Sequence, residues 1–372
     1  MTLADHPGFI AGSPRSGTTL MTAMLDDHQD LMVFPEEYMY LRPQALPGDN
    51  GRPVLHDLFK EKVLLRLQGK DSFLDGMHEE GRYYADFDYQ RFEAEVDACF
   101  QLLRGEQQGE EKRSVPALAL IALITAFARV TGNEQQARWV IKNPLYELHW
   151  QQLFADFPTA RIIYMVRDPR DVILSRTIKK HKKKYLQQGG DIVSWKDEAI
   201  ALKPSLRFLQ QWERSINAYL AIKKAFPGQV MRVRYEDLVA SPREVMHGVS
   251  EFLGMDWNKS LLTPSFFGNP WKGGSMHRQT FDGINRSNKR KQCRFPPHTL
   301  WQLDAWLGKL MVKEPGGYAL SAHLERIDIK ALLSRLQGEG IPEFMHNRLR
   351  MLSNQLIRST TTQNDQSNAP DR

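Results

Sequence analysis

Cysteine is nearly missing from this sequence: Cys99 and Cys293 are the only two in 372 residues. Two cysteines build no disulfide framework, and neither has a second cysteine or a clustered histidine at metal-ligand spacing, so no metal site is expected. A reducing cytoplasm fits this usage. Long hydrophobic runs are missing too. The longest, Ala117 to Val130, is interrupted by Arg129 and falls short of the about 20 residues a membrane span needs, so it predicts a buried helix. Phe9-Ile10-Ala11, the first apolar run, follows Asp5 and His6 and is too short for a secretory signal. No internal repeat and no recognised nucleic-acid-binding module are visible, so nucleic acid is not an expected partner.

What is present reads as a globular enzyme-sized chain. A hydrophobic fraction of 41% with 25% charged residues is ordinary for a soluble fold, and a chain this long needs no covalent staples. The formal charge of +6 and a pI near 9.1 suit an anionic ligand, and equally a nonspecific polyanion.

Apolar patterning predicts strands at Phe9–Gly12, Trp139–Ile141, Arg161–Val166 and Gln229–Arg234. A helix is expected from Thr18 to Asp27, with Leu20, Met21, Met24, Leu25 and His28 at core-facing spacing. Asp168-Pro169-Arg170-Asp171 opens another helix, with Asp168 as cap and Pro169 in the first turn. Ser241-Pro242-Arg243-Glu244 has the spacing of a capping box before Val245, Val249, Phe252 and Leu253. Strands alternating with helices predict an α/β fold with a central parallel sheet flanked by helices in three layers.

The most informative segment is Ala11-Gly12-Ser13-Pro14-Arg15-Ser16-Gly17-Thr18-Thr19-Leu20, lying between an expected strand and an expected helix. Backbone N–H groups of such a turn bind phosphate oxygens, and this setting favours anion binding over a glycine turn that merely packs. Gly12 and Gly17 have P-loop spacing, but Thr18 stands where a triphosphate-binding loop carries its lysine. The first cation is Arg15 instead, which weakens a kinase or nucleoside triphosphatase reading.

Pro14-Arg15-Ser16-Gly17-Thr18-Thr19-Leu20 resembles the 5′-phosphosulfate loop of the sulfotransferase family. Its arginine form is similar to the tyrosylprotein and carbohydrate branches, and the following Met21 to His28, with Met24-Leu25-Asp26 inside it, resembles the tyrosylprotein enzymes. The resemblance implies 3′-phosphoadenosine 5′-phosphosulfate (PAPS) as donor, no metal, and a P-loop-like fold. It implies contacts to the phosphosulfate from Pro14, Arg15, Ser16, Gly17, Thr18 and Thr19. Tyr164 to Ser175 resembles the family's second anchor, which implies Arg167 and Ser175 as ligands of the 3′-phosphate, with Arg170 and Asp171 as helix-surface and capping groups. Lys142, ending the strand before Asn143-Pro144, matches the lysine that stabilises charge on the leaving oxygen; a lysine starting a turn is the alternative.

The histidine base of the cytosolic branch is missing, because Asn143 and Pro144 occupy that region. The tyrosylprotein branch implies a carboxylate instead, in Phe34-Pro35-Glu36-Glu37-Tyr38, expected as a loop. Counting from Arg15 without a gap selects Glu36, whereas matching the paired glutamates as a block selects Glu37. Glu36 is the first choice and Glu37 the alternate. His28 and His149 read as helix-end and helix-surface histidines outside any triad. Val233 to Leu238 with Phe252-Leu253-Gly254 resembles a family strand–helix unit and is read as fold. Arg286 and Ser287, in the basic segment Ile284 to Lys291, resemble the late loop that closes over the adenosine and its 3′-phosphate.

The implied domain spans residues 1–320, with a mostly helical acceptor-side insertion over 41–138. A helical C-terminal extension over 321–358 carries Leu332, Leu333 and Leu336, and 359–372 reads as a disordered tail. The implied activity is sulfuryl transfer to an acceptor hydroxyl; a P-loop kinase and a noncatalytic nucleotide- or polyanion-binding protein are the rivals. The run Lys179-Lys180-His181-Lys182-Lys183-Lys184 suits an acidic acceptor, an anionic membrane, nucleic acid, or simply a solvated helix face. Neither the acceptor's identity nor an oligomeric state is legible.

Overall fold

The computed structural model describes residues 6–38, 87–105, 113–136, 138–177, 206–271, 284, 303–304, 307–308, 310–311 and 318. The chain divides into two compact units, one from residues 1–167 and 214–289 and one from 168–213 and 290–372. The Lys179–Lys184 run, Arg286, Ser287, the expected extension 321–358 and the tail 359–372 lie outside the described residues.

The first unit is built on five strands: β1 (Pro7–Gly12), β2 (Leu31–Glu37), β3 (Arg138–Lys142), β4 (Arg161–Val166) and β5 (Val230–Arg234). They lie in the order β2-β3-β1-β4-β5 with every neighbouring pair parallel. Parallel sheets are covered on both faces, so their inner strands read as continuous apolar runs. Accordingly β1 is buried throughout, and β4 is buried at every residue except Arg161. The chain leaves β1 toward β2 and leaves β4 toward β5, on opposite sides of the sheet. That reversal places a crevice at the carboxyl ends of β1 and β4, where open α/β sheets bind ligands.

Helices α1 (Thr18–Leu25), α2 (Tyr89–Gly105), α3 (Val115–Thr131) and α4 (Trp150–Asp156) follow the early strands. The long apolar run forms α3, and Ala117 through Ile124 are all buried. Its start is fixed by Ser114, whose Oγ accepts the Ala117 N–H at 3.3 Å, and by a proline in the first turn; Gly132, at φ 72°, ends it. Ser114 also donates its N–H and O–H to the Asp156 carboxylate at 2.9 and 3.0 Å, tying the start of α3 to the end of α4. Cys99 and Phe100 of α2 pack with Leu118, Ala119 and Ala122 of α3. Under the sheet, Phe9 meets Trp139 and Tyr146 edge-on at 5.5 and 5.2 Å, contacts that favour the T-shaped geometry through the ring quadrupoles.

In the second unit, α5 covers residues 169–177. Asp168 Oδ1 accepts the Arg170 N–H at 2.9 Å, the expected cap. Arg170, expected on the helix surface, is instead 5% exposed. Its guanidinium is gripped by Asp168 at 2.6 Å and reaches Asp304 at 3.3 Å, a partner too distant in sequence to be anticipated.

The helix α6 (Leu206–Ala225) belongs to the first unit from Arg214 onward. It precedes β5, α7 (Tyr235–Ala240) and α8 (Pro242–Leu253). The expected capping box at Ser241 does not form, since that side chain makes no capping bond; α8 relies on its first-turn proline and ends at Gly254, φ 70°. A short hairpin of β6 (Ser265–Phe266) and β7 (Asn269–Pro270) follows α8. No helix among the described residues is long and apolar enough to cross a membrane.

Candidate active site

The loop from Ser13 to Gly17 joins the carboxyl end of β1 to the first turn of α1. Gly12, which ends β1, and Gly17, which ends the loop, are both required by geometry. Gly12 sits at φ 127°, where a Cβ would meet the Met165 carbonyl oxygen at 2.2 Å. Gly17 sits at φ 95°, where a Cβ would meet Tyr235 Cδ2 at 2.4 Å. Arg15 is also left-handed, at φ 79°, a conformation costing a non-glycine residue roughly 1–2 kcal/mol. Strain of this kind persists where the surroundings over-determine it, as at ligand clamps.

Arg167, just past β4, braces this loop. Its Nη1 donates to the Arg15 carbonyl at 3.4 Å, and its guanidinium lies 4.4 Å over the Tyr235 ring. Burial first, and the Arg167 charge second, hold the Arg15 pKa below its ordinary value. Two guanidiniums that repel one another in a partly desolvated loop are stabilised by an anion between or beside them. The hydroxyls of Ser13 and Ser16, residues only 2% and 0% exposed, have no hydrogen-bond partner among the described residues. Buried hydroxyls are normally satisfied, so this pair is fitted to a ligand rich in acceptor oxygens.

At the end of β3, Lys142 is 6% exposed. Its Nζ donates to Thr19 Oγ1 at 3.0 Å and forms an ion pair with Glu37 Oε1 at 2.8 Å. The segment expected as a loop is the end of β2, and Glu36 within it is 3% exposed. Lys142, Thr19, Glu37 and the phosphate loop therefore gather at the carboxyl ends of β1, β2 and β3. Pro14, Arg15, Ser16, Gly17 and Thr18 lie on that loop or the first turn of α1, as expected. Ser175 is half-buried on α5, in the second unit.

One buried acid had no sequence signal. Glu147 lies in the 3-10 turn Tyr146–His149 and is 0% exposed. Its Oε2 accepts the Gly12 N–H at 2.9 Å, and its Oε1 accepts from the Ser215 hydroxyl, which also contacts the Tyr164 hydroxyl at 3.0 Å. Burial pushes its pKa up to about 7, against the opposing hydrogen bonds from Ser215, Gly12 and Leu145. Tyr235 was read only as fold, yet its ring supports Arg167. His28, expected at a helix end, is 2% exposed; Asp30 donates its N–H to Nδ1 at 3.2 Å, so Nε2 carries the proton and donates to the Asp256 carbonyl at 3.0 Å.

Known proteins are similar to this chain in sequence. Protein-tyrosine sulfotransferase from Drosophila melanogaster is 25% identical over 303 residues, covering 81% of this chain and 47% of that protein. Protein-tyrosine sulfotransferase 2 from Gallus gallus is 27% identical over 256 residues, covering 68% of this chain and 52% of that protein. The chain thus spans about half the length of these curated relatives. Among solved structures, the sulfotransferase domain from the curacin biosynthetic pathway aligns with a TM-score of 0.40 at 19% identity, over 91% of this chain and 99% of that one. The model of the Sulfotransferase family matches residues 7–259, from the first residue of β1 past all five parallel strands, and the chain belongs to that family.

Proposed function

We propose that this chain transfers a sulfuryl group from PAPS to an acceptor hydroxyl, and that the acceptor is a tyrosine hydroxyl in an acidic peptide. The observation that carries the donor half is the pair of buried hydroxyls, Ser13 and Ser16, without a hydrogen-bond partner among the described residues, in a loop flanked by Arg15 and Arg167. Loop amides, these hydroxyls and Arg15 suit the phosphosulfate, and Arg167 suits the 3′-phosphate. Thr18 in place of the lysine of a triphosphate loop argues against ATP. The names of the two relatives and the net charge of +6 support the acceptor half.

PAPS supplies the sulfuryl group and leaves as adenosine 3′,5′-bisphosphate. The acceptor oxygen forms the new S–O bond as the bond to the bridging oxygen breaks, and the acceptor proton passes to a carboxylate. Glu37 is the proposed base in preference to Glu36, because Glu37 reaches Lys142 at the carboxyl end of β3. Lys142 is proposed to balance charge on the departing oxygen, where a fixed cation lowers the barrier most.

Transfer of labelled sulfate from PAPS to phenols, alcohols, tyrosine peptides and glycans tests this reading. Glu37→Gln should lower transfer by about 10²–10⁴-fold, the usual contribution of a general base, and Glu36→Gln should keep far more. Calorimetry should detect the bisphosphate and not ATP with magnesium. Binding of ATP without the bisphosphate overturns the donor, and full activity of Glu37→Gln overturns the base.

A further inference from the structure

Gly12 is the residue at which β1 becomes the phosphate loop, and it is held on both sides of its peptide by one short turn. Its N–H donates to Glu147 Oε2 at 2.9 Å, and its carbonyl accepts the Leu145 N–H at 3.1 Å. The same turn begins at Lys142, and the Asn143 N–H donates to the Ile10 carbonyl at 3.1 Å. The lysine and the anion-binding loop are therefore positioned by a shared scaffold in which the Glu147 carboxyl holds Gly12.

A carboxylate behind an anion-binding loop is an electrostatic contradiction. Ionised, it repels the incoming phosphates across a desolvated protein interior, where charges act strongly. Protonated, it still accepts the Gly12 N–H at Oε2, while Oε1 changes from acceptor to donor toward Ser215. Ser215 accommodates either state, because a hydroxyl donates and accepts and either oxygen of the Ser215–Tyr164 contact can be the donor. Among the described residues, the ionisable groups on the elements beside this carboxyl include Lys142 at the end of β3, Tyr146 and His149 on its own turn, Tyr164 on β4, and Tyr219, stacked on Tyr164 at 4.6 Å, on α6. Exposed Arg214, also on α6, acts on His149, whose pKa is lowered by burial and then by that charge.

We propose that Glu147 is the positioning residue of the phosphate loop, and that binding of the donor or its bisphosphate product draws a proton onto its carboxyl. The proposal rests on the donor reading above. The direction agrees with the burial that already raises this group's pKa.

The test is calorimetric titration of adenosine 3′,5′-bisphosphate from pH 6 to 8.5, in two buffers of different protonation enthalpy. It compares the wild type with Glu147→Gln and Ser215→Ala. Glutamine keeps an acceptor for Gly12 but cannot titrate, so the difference between wild type and this variant cancels the nucleotide's own ionisation. The wild type should take up more protons on binding than Glu147→Gln above pH 7. Its affinity relative to that variant should fall by roughly fivefold or more across the range, the lower end of site-to-site coupling. Ser215→Ala removes a donor to the carboxylate, so its extra proton uptake should move to higher pH. Equal proton uptake and parallel affinity profiles in wild type and Glu147→Gln overturn the proposal while leaving the donor intact. Failure of the wild type to bind the bisphosphate at any pH overturns the donor reading, and this proposal with it.

Discussion

Gly17→Ala isolates how the phosphate loop and Arg167 depend on each other. At φ 95° the substituted residue first incurs the left-handed penalty, roughly 1–2 kcal/mol. Its Cβ would then stand 2.4 Å from Tyr235 Cδ2, so the ring must retreat by about 1 Å to restore an ordinary contact. Forced repacking of that kind costs a further ~1–3 kcal/mol. The ring cannot move alone, because the Arg167 guanidinium lies 4.4 Å above it and donates to the Arg15 carbonyl. Gly132→Ala is the matched control: φ is 72° and nothing lies within 4 Å of the added methyl. It incurs the left-handed penalty without the collision and sits at the end of α3, away from the loop. Urea denaturation should therefore rank Gly17→Ala below Gly132→Ala by the repacking cost. Bisphosphate affinity should fall at least tenfold in the former and stay at wild-type level in the latter. Replacing Tyr235 with leucine beside Gly17→Ala should recover part of the lost stability. Equal stability of the two glycine variants, with unchanged affinity in both, would refute the reasoning.

Arg170→Ala should destabilise the protein by about 3–5 kcal/mol, because it leaves the buried Asp168 and Asp304 carboxylates without their guanidinium; a melting temperature within a degree or two of wild type would contradict the pairing. Glu147 binds its proton more tightly in the folded chain, with a pKa of about 7 against an ordinary 4.5. The native state therefore holds more protons than the unfolded one between these values, and stability declines as pH rises through that window. The full gap amounts to about 3 kcal/mol at ~1.4 kcal/mol per unit, and urea titrations at pH 5 and 8 should show Glu147→Gln gaining most of it on wild type; parallel curves would refute it.

Sequence pattern reached those parts of the molecule whose cause is local. Arg161–Val166 was legible to the residue, because an apolar run is bounded by Pro158 and Pro169. The buried helix α3 was legible because no amphipathic stripe interrupts it. The placement of Arg15 and Gly17 between a strand and a helix, and of Lys142 at a strand end, was legible because that spacing acts over short segments. Glu147 was not: its partners Gly12 and Ser215 stand 135 and 68 positions away, so nothing beside it announces a buried acid. Arg170 failed for the same reason, since the Asp304 carboxylate that helps bury it is 134 positions distant. Ser241 failed in the opposite sense. Its spacing to Glu244 satisfied a local rule, and α8 begins without using it.

The two ways of counting to Glu36 and Glu37 differ by one residue, and strand pairing decides which of the two lies opposite Lys142. Phe34 pairs with Ile141, but the next pairing joins Glu37 to Lys142, so three steps along β2 answer one step along β3. Pro35 lies inside this irregularity. Lacking an N–H, proline cannot donate to the ladder and is tolerated at edge strands and bulges, and β2 is an edge of the sheet. In an uninterrupted ladder Pro35 would face Lys142. The bulge spends the extra residues and brings Glu37 opposite it, which is where the 2.8 Å ion pair forms. A gap-free count from Arg15 carries no information about pairing and lands on Glu36. Matching the two glutamates as a block tacitly allows an inserted residue and lands on Glu37. The carboxylate beside the lysine is thus set by the pairing of two strands, with a proline at the place where their register slips.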